Sequence, residues 1–266
     1  MSIPAELAAD RELLREAVGA AGTLALEHFR TDRRHWYKAP GQVVTAADLA
    51  VDRLLHDRLR GARPGDGWLS EERADDRSRL TTRRLWVVDP IDGTRAFADG
   101  VPQFSISVGL LLDGEPVLGA VLNPATAEYF EATRGGGAWL GAERLRVSAH
   151  PSLAGARLLS SRTEMHRRRW PQLIPEAHIT AIGSLAYKLA LVAAGRFDGL
   201  LSLRPSHDWD LAAALLLVRE AGGLITAADG APIVLNLPTL RHPGLAAAGT
   251  PALHHALVTR LSEASP

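Results

Sequence analysis

Two carboxylates and a hydroxyl crowd together where an apolar run ends, in Trp86-Val87-Val88-Asp89-Pro90-Ile91-Asp92-Gly93-Thr94. Pro90 fixes its own φ and holds Asp89 extended, so the chain should neither continue as strand nor enter helix at once. Gly93 lets the backbone approach a ligand closely, and a helix starting there would aim free N–H groups at an anion. Two anionic side chains at a strand end repel unless a cation or a proton sits between them. With oxygen ligands alone, magnesium, manganese or calcium is preferred over zinc. Asp-Pro and Asp-Gly also make ordinary turns and helix caps, so further acidic elements must decide. Three are present. Ser70-Glu71-Glu72 follows a short strand-like Gly67-Trp68-Leu69, and His207-Asp208-Trp209-Asp210 precedes an apolar helix with Asp210 at its start. Thr45-Ala46-Ala47-Asp48 opens another helix, and taken alone it reads as a capping box.

Several other chemistries fail on spacing. Haloacid-dehalogenase phosphatases need aspartates two apart, whereas Asp89 and Asp92 are three apart with a proline between them. There is no phosphate loop ending in Gly-Lys-Ser/Thr, no Gly-x-Ser-x-Gly elbow and no His-Glu-x-x-His pair. The only lysines are Lys38 and Lys188. Gly135-Gly136-Gly137 reads as a strand-edge loop, and His254-His255 as surface residues of the last helix. No cysteine is present, which removes thiolate zinc sites, disulfides and a cysteine nucleophile. Thirty basic and thirty acidic residues cancel, so a nucleic-acid polymer is disfavoured as partner. The longest apolar run, Leu211 to Val218, is too short for a bilayer. The charged start, with Glu6, Asp10, Arg11 and Glu12, does not read as a signal peptide, and a cytoplasmic protein with no membrane partner is expected.

The elements that must position these residues follow from periodicity. Leu7, Leu13, Leu14, Val18, Leu24 and Phe29 keep helical spacing, with start signals at Ser2 and Pro4. A second helix is expected from Thr45 to Leu59, with Leu49, Leu54, Leu55 and Leu59 inward. Strands are expected at 85–88, 104–112, 116–122, 129–132 and 138–147, with Asp113-Gly114 as a hairpin turn. The composition shifts near 149–152, which divides the chain into 1–149, an α+β half with most of the acids, and 150–266, an α/β half with Asp210. The second half should alternate strand 157–160, helix 184–194, strand 197–202, helix 210–221 and helix 251–261.

Together these residues resemble the inositol monophosphatase family. Asp89-Pro90-Ile91-Asp92-Gly93-Thr94 matches its signature, Glu71-Glu72 its upstream pair, and Trp209-Asp210 with Glu220-Ala221-Gly222-Gly223 its downstream elements. Val44-Thr45-Ala46-Ala47-Asp48 and Asn123-Pro124 fall in order between and before them. The resemblance implies a layered α/β fold of αβαβα type, usually a homodimer, hydrolysing phosphate monoesters of small metabolites with two to three magnesium ions. Carried over, one ion would be held by Glu71, Asp89 and the Ile91 carbonyl, and a second by Asp89, Asp92 and Asp210. A third would lean on Glu71 and, through water, on Asp48. Glu71 and Thr94, supported by Asp48, would orient the attacking water. The N–H groups of Gly93 and Thr94 would hold phosphate, and Asp210 would help water protonate the leaving group. Gly183 and Ser184 would meet the rest of the substrate.

Departures bear on the substrate. The chain reads Gly93-Thr94-Arg95 where inositol enzymes carry a second threonine, and Leu69-Ser70-Glu71-Glu72 is closer to the 3'(2'),5'-bisphosphate nucleotidases. The glutamate that contacts inositol in relatives falls near Ser202 and Leu203, and neither is acidic. The expected substrate is therefore adenosine 3',5'-bisphosphate, bound with the help of Arg95. Inositol 1-phosphate and histidinol phosphate are the alternatives within the class. A catalytically silent metabolite-binding protein is the alternative outside it.

Overall fold

A computed structural model describes residues 5–39, 42–168 and 170–264, so the start signals at Ser2 and Pro4 lie outside the described residues. Helix α1 (Ala5–Thr31) leads to the antiparallel pair β1 (His35–Ala39) and β2 (Gln42–Thr45), then α2 (Ala46–Ala62) and β3 (Gly67–Ser70). Next come β4 (Arg84–Asp92), the short α3 (Thr94–Ala98), β5 (Ser105–Leu112), β6 (Glu115–Asn123), β7 (Glu128–Thr133), β8 (Gly137–Leu140) and β9 (Glu143–Arg144). Then follow β10 (Arg157–Ser160), α4 (Arg162–Arg168), α5 (Trp170–Leu173), β11 (His178–Ala181), α6 (Leu185–Ala193), β12 (Gly199–Ser202) and β13 (Ser206–His207). The last elements are α7 (Asp208–Glu220), β14 (Leu224–Ala227), β15 (Arg241–His242), β16 (Leu245–Ala248) and α8 (Pro251–Ala264).

Strands β3 to β9 form a seven-stranded sheet in sequence order, and β11-β10-β12-β16-β14 form a five-stranded one. The strand period of two sorts side chains into layers. Trp86, Val88, Ile106, Val108 and Leu110 face α1 and α2. Val87, Leu111, Val121 and Phe130 face α6 and α7, which are covered from the other side by Leu159, Leu200, Leu245 and Ala247 of the smaller sheet. Leu158, Leu201 and Ala246 on that sheet's outer face pack on Leu253, Leu257 and Leu261 of α8. The result is the five-layer αβαβα stack.

What positions the site is the seat of α7. Gly109 and Gly119 stand opposite each other on β5 and β6. A Cβ on Gly109 would lie 2.9 Å from the Cβ of Ala212, and one on Gly119 would lie 2.8 Å from the carbonyl oxygen of Ala213. The helix backbone therefore rests directly on the sheet, and its first turn is delivered to the end of β4.

Some expectations need correcting. On α2, Ala47, Val51, Leu55 and Leu59 face inward, whereas Leu49 is 47% exposed, because it lies two residues from Val51 and so on the opposite side of the helix. The 138–147 stretch breaks at a turn where Gly141 adopts φ 58°, which leaves the short β8 and β9. The strand expected from 197 begins at Gly199, and α7 begins at Asp208, so Asp210 lies within its first turn. His254 is buried and shares a 3.0 Å hydrogen bond with Thr226 Oγ1; only His255 is exposed. Glu220 closes the 135–137 loop by accepting the N–H groups of Gly135 and Gly137, both at 2.8 Å. Among the described residues no helix is long and apolar enough to cross a membrane.

Candidate active site

Strand β4 runs on through Pro90 to Asp92 as an irregularity against β5, instead of stopping at Asp89. This bulge turns Asp89 and Asp92 inward, 1% and 7% exposed. The first turn of α7 meets them from across the chain. One carboxylate oxygen from each of Asp89, Asp92 and Asp210 lies within 4.8 Å of the other two. The cluster lines a cavity of about 450 Å³ that also takes in Glu71, Gly93, Thr94, Arg95, Gly183 and Ser184.

Each acid is held by donors that leave part of it available. Asp89 Oδ1 accepts the N–H of Ile91 at 3.1 Å. Asp92 Oδ2 accepts both Ser184 Oγ and the N–H of Ala186 at 2.6 Å. Asp210 Oδ2 accepts the N–H of His207 at 2.6 Å. Ser184 caps α6 with φ 48°, a conformation that costs a serine energy and is fixed here by Asp92 and by Ser105 Oγ at 2.9 Å. Against it stands Gly93, φ 90°, where a Cβ would come within 2.8 Å of the Ser184 nitrogen. Ser184 therefore reaches the cavity chiefly as a support for Asp92. The N–H of Gly183 is taken by Gln103 Oε1 at 3.1 Å.

Thr94 Oγ1 lies 2.9 Å from the Ile91 carbonyl oxygen and 3.2 Å from Asp48 Oδ1, so Asp48, Thr94 and Ile91 form one chain of contacts. Glu71 reaches the cavity from the end of β3, with its carboxylate 3.0 Å from Lys38 Nζ, which also holds Glu72 at 2.7 Å. Arg95 is exposed at the rim.

The electrostatics follow from burial. Desolvation, then the neighbouring Glu71, Asp92 and Asp210, hold the Asp89 carboxyl well above the usual carboxylate range. Asp210 is raised likewise by burial and then by Asp92. Asp92 is raised by burial against the lowering pull of Ser184 and backbone N–H bonds. Burial pushes Asp48 up to about 7 despite its bonds to Thr45. Buried oxygen-only donors that repel one another are the donor set of a hard divalent cation, so the residues present fit magnesium.

The family model of the inositol monophosphatase family matches residues 7–265. The chain belongs to the inositol monophosphatase family. Its similarity to the "Inositol-1-monophosphatase" of Rhizobium meliloti is 42% identity over 201 residues, 73% of this chain and 75% of that protein. A "Fructose-1,6-bisphosphatase/inositol-1-monophosphatase" of Thermotoga maritima is 36% identical over 71% of this chain and 72% of its own length. Among solved structures, the extragenic suppressor protein suhB of Bartonella henselae superimposes with a TM-score of 0.84 at 30% identity, covering 96% of this chain and 99% of that one. Inositol monophosphatase from Anabaena gives 0.80 at 27% identity, covering 98% of each chain. The family is one of magnesium-dependent phosphomonoesterases, and this member is an enzyme of that kind.

Two cavity residues of this inositol monophosphatase family member escaped the sequence reading or were left without a role. Lys188 is 5% exposed, and burial lowers its ammonium to about 8 even though Asp92 and Glu164 favour its charge. Glu164 is 3% exposed and hydrogen-bonds Ser202 Oγ at 2.9 Å and the N–H of Leu203 at 2.7 Å. The segment expected to lack a carboxylate thus receives one from α4. Ser161-Arg162-Thr163-Glu164 has the spacing of a capping box, which was the available signal.

Proposed function

We propose that the enzyme hydrolyses a small phosphate monoester that carries a second anionic group, of the adenosine 3',5'-bisphosphate type. The observation that carries this reading is the set of cations that line the cavity beside the carboxylate cluster. Lys188 is buried there and donates to the Ile182 carbonyl at 3.3 Å; Asp92 and Glu164 favour its charge, and Arg204 opposes it. Cations that line one partly desolvated cavity draw in an anionic ligand group. Arg95 adds a third cation at the rim.

In this reading Glu71, Asp89, Asp92, Asp210 and the Ile91 carbonyl hold two to three magnesium ions. When bound, these supply charge neutralisation at the phosphoryl oxygens and lower the pKa of water. Thr94 and Glu71 orient the water, with Asp48 fixing Thr94. The N–H groups of Gly93 and Thr94 face the phosphate, and Gly183, Ser184 and Arg95 flank the remainder of the substrate. The assembly is read as a homodimer, which sedimentation equilibrium tests directly.

Phosphate release decides the substrate. The expected order of kcat/KM is adenosine 3',5'-bisphosphate above inositol 1-phosphate and histidinol phosphate, with Arg95→Ala narrowing the first gap. Inositol 1-phosphate ranking first would overturn the order while leaving the phosphatase chemistry standing. That second reading has its own support in the curated relatives named inositol-1-monophosphatase.

A further inference from the structure

Glu164 accepts four hydrogen bonds: Ser161 Oγ at 3.0 Å, Ser202 Oγ at 2.9 Å, and the N–H groups of Leu203 at 2.7 Å and Arg204 at 3.3 Å. An ionised carboxylate offers about four lone-pair sites, so its capacity is spent and it has none left for a substrate hydroxyl. It also donates nothing. Each serine must therefore turn its single proton toward Glu164, and each serine oxygen is left as an acceptor only. One lone pair of Ser161 Oγ takes the N–H of Glu164 at 3.2 Å, and one of Ser202 Oγ takes the N–H of Arg204 at 3.2 Å. One lone pair remains on each, and both serines line the cavity.

We propose that Glu164 is a positioning residue that polarises Ser161 and Ser202 into a pair of acceptors for hydroxyl groups on the non-phosphate part of the substrate. This rests on the reading above that the ester's phosphate lies at the carboxylate cluster. The shared chemistry is a vicinal or isolated hydroxyl, which a polyol ring or a ribose could supply. The device needs three residues from two elements: the carboxylate and one serine from α4 and its approach, and the second serine from the end of β12. A glutamine at 164 would keep the size but invert the polarity. Its oxygen would stay with the Leu203 and Arg204 N–H groups, and its amide would donate to the serines and turn their protons toward the cavity.

The test is Glu164→Gln, read as ratios of kcat/KM. One pair is inositol 1-phosphate against p-nitrophenyl phosphate, and the other is adenosine 3',5'-bisphosphate against its 2'-deoxy analogue. A lost acceptor for a bound hydroxyl should lower one of these ratios about tenfold, mostly through KM of the hydroxylated ester. A fall in the first ratio assigns the acceptors to a polyol, and a fall in the second assigns them to ribose. Ratios within about twofold of wild type in both pairs would overturn the proposal, because a merely structural glutamate affects all esters alike. Should Glu164→Gln fail to fold, the double variant Ser161→Ala/Ser202→Ala removes the acceptors directly and must lower the same ratio. A wild type that releases phosphate from none of the four esters defeats the underlying reading and this one with it, whereas unchanged ratios defeat this one alone.

Discussion

Helices α2 and α7 begin alike, and the difference between them lies in one oxygen atom. In each, the third residue is an aspartate that reaches back to the residue before the helix: Asp48 accepts the N–H of Thr45 at 2.8 Å, and Asp210 accepts that of His207 at 2.6 Å. Both aspartates thus cap a helix, as expected for Thr45-Ala46-Ala47-Asp48 and found as well at His207 to Asp210. The second oxygen separates them. Asp48 Oδ1 meets a hydroxyl, Thr94 Oγ1 at 3.2 Å, whereas Asp210 joins the carboxylates of Asp89 and Asp92. A cap uses one carboxylate oxygen and leaves the other for chemistry, so capping and ligation are compatible roles. The neighbour decides which chemistry follows.

The largest effect should come from breaking the α7 member of this pair. Asp210→Asn keeps the capping acceptor but removes a ligand charge, so turnover should fall on the order of 10³-fold. Magnesium affinity measured by calorimetry should fall with it. Turnover near wild type at limiting magnesium would show that the second oxygen of Asp210 has no such role.

Ser184→Ala takes a 2.6 Å donor from Asp92 without touching any carboxylate. Outer partners of metal ligands are worth roughly 10–100-fold in affinity, and a loss in that range is expected in a magnesium titration. An unchanged titration would mean that the Ala186 N–H alone orients Asp92.

On the α2 side, Asp48→Asn should cost less, about tenfold or below in kcat, with magnesium affinity nearly retained, because this residue acts through Thr94. If Asp48→Asn instead matched Asp210→Asn in both measurements, the two helix starts would be equivalent and the comparison would fail.

The smallest effect is on stability. Asp48 holds its proton up to about 7 in the folded chain, against an ordinary value of 3.8. The folded state thus binds the proton more tightly than the unfolded one, so the contribution is full below about pH 4 and is lost as pH rises through 7. Asp89 and Asp210, also raised by burial, add slope of the same sign. The Tm of chelator-treated protein should therefore decline by several degrees from pH 5 to 8, and saturating magnesium should flatten the decline. A Tm that rises with pH in the chelated protein would contradict the sign of these shifts.

Much of the site was legible from the sequence because its parts are local. Asp89 and Asp92 announce themselves through a strand end, a proline and a glycine within six residues. Thr45 and Asp48 do so through a cap. The αβαβα layering was expected only through the family resemblance that the ordered motifs carry; periodicity alone gave a layered α/β protein with two unequal halves. The face of α2 was misjudged at Leu49 because several leucines there offered more than one apolar stripe, and only the packed sheet selects among them.

Other features depend on contacts between residues far apart in the chain, which local periodicity does not register. Asp210 reaches Asp89 because Gly109 and Gly119 lack side chains and let α7 settle onto the sheet. Glu164 fills the place where Ser202 and Leu203 carry no acid, from 38 residues earlier in the chain. Lys188 becomes a cavity cation only through its burial beside Asp92, Glu164 and Arg204. The sequence determined which groups could do the chemistry, because residue type and short spacing set ligand character, turns and caps. Tertiary structure alone decided which of them share a cavity and at what charge, because desolvation and Coulomb energy depend on distances that arise only when the layers pack.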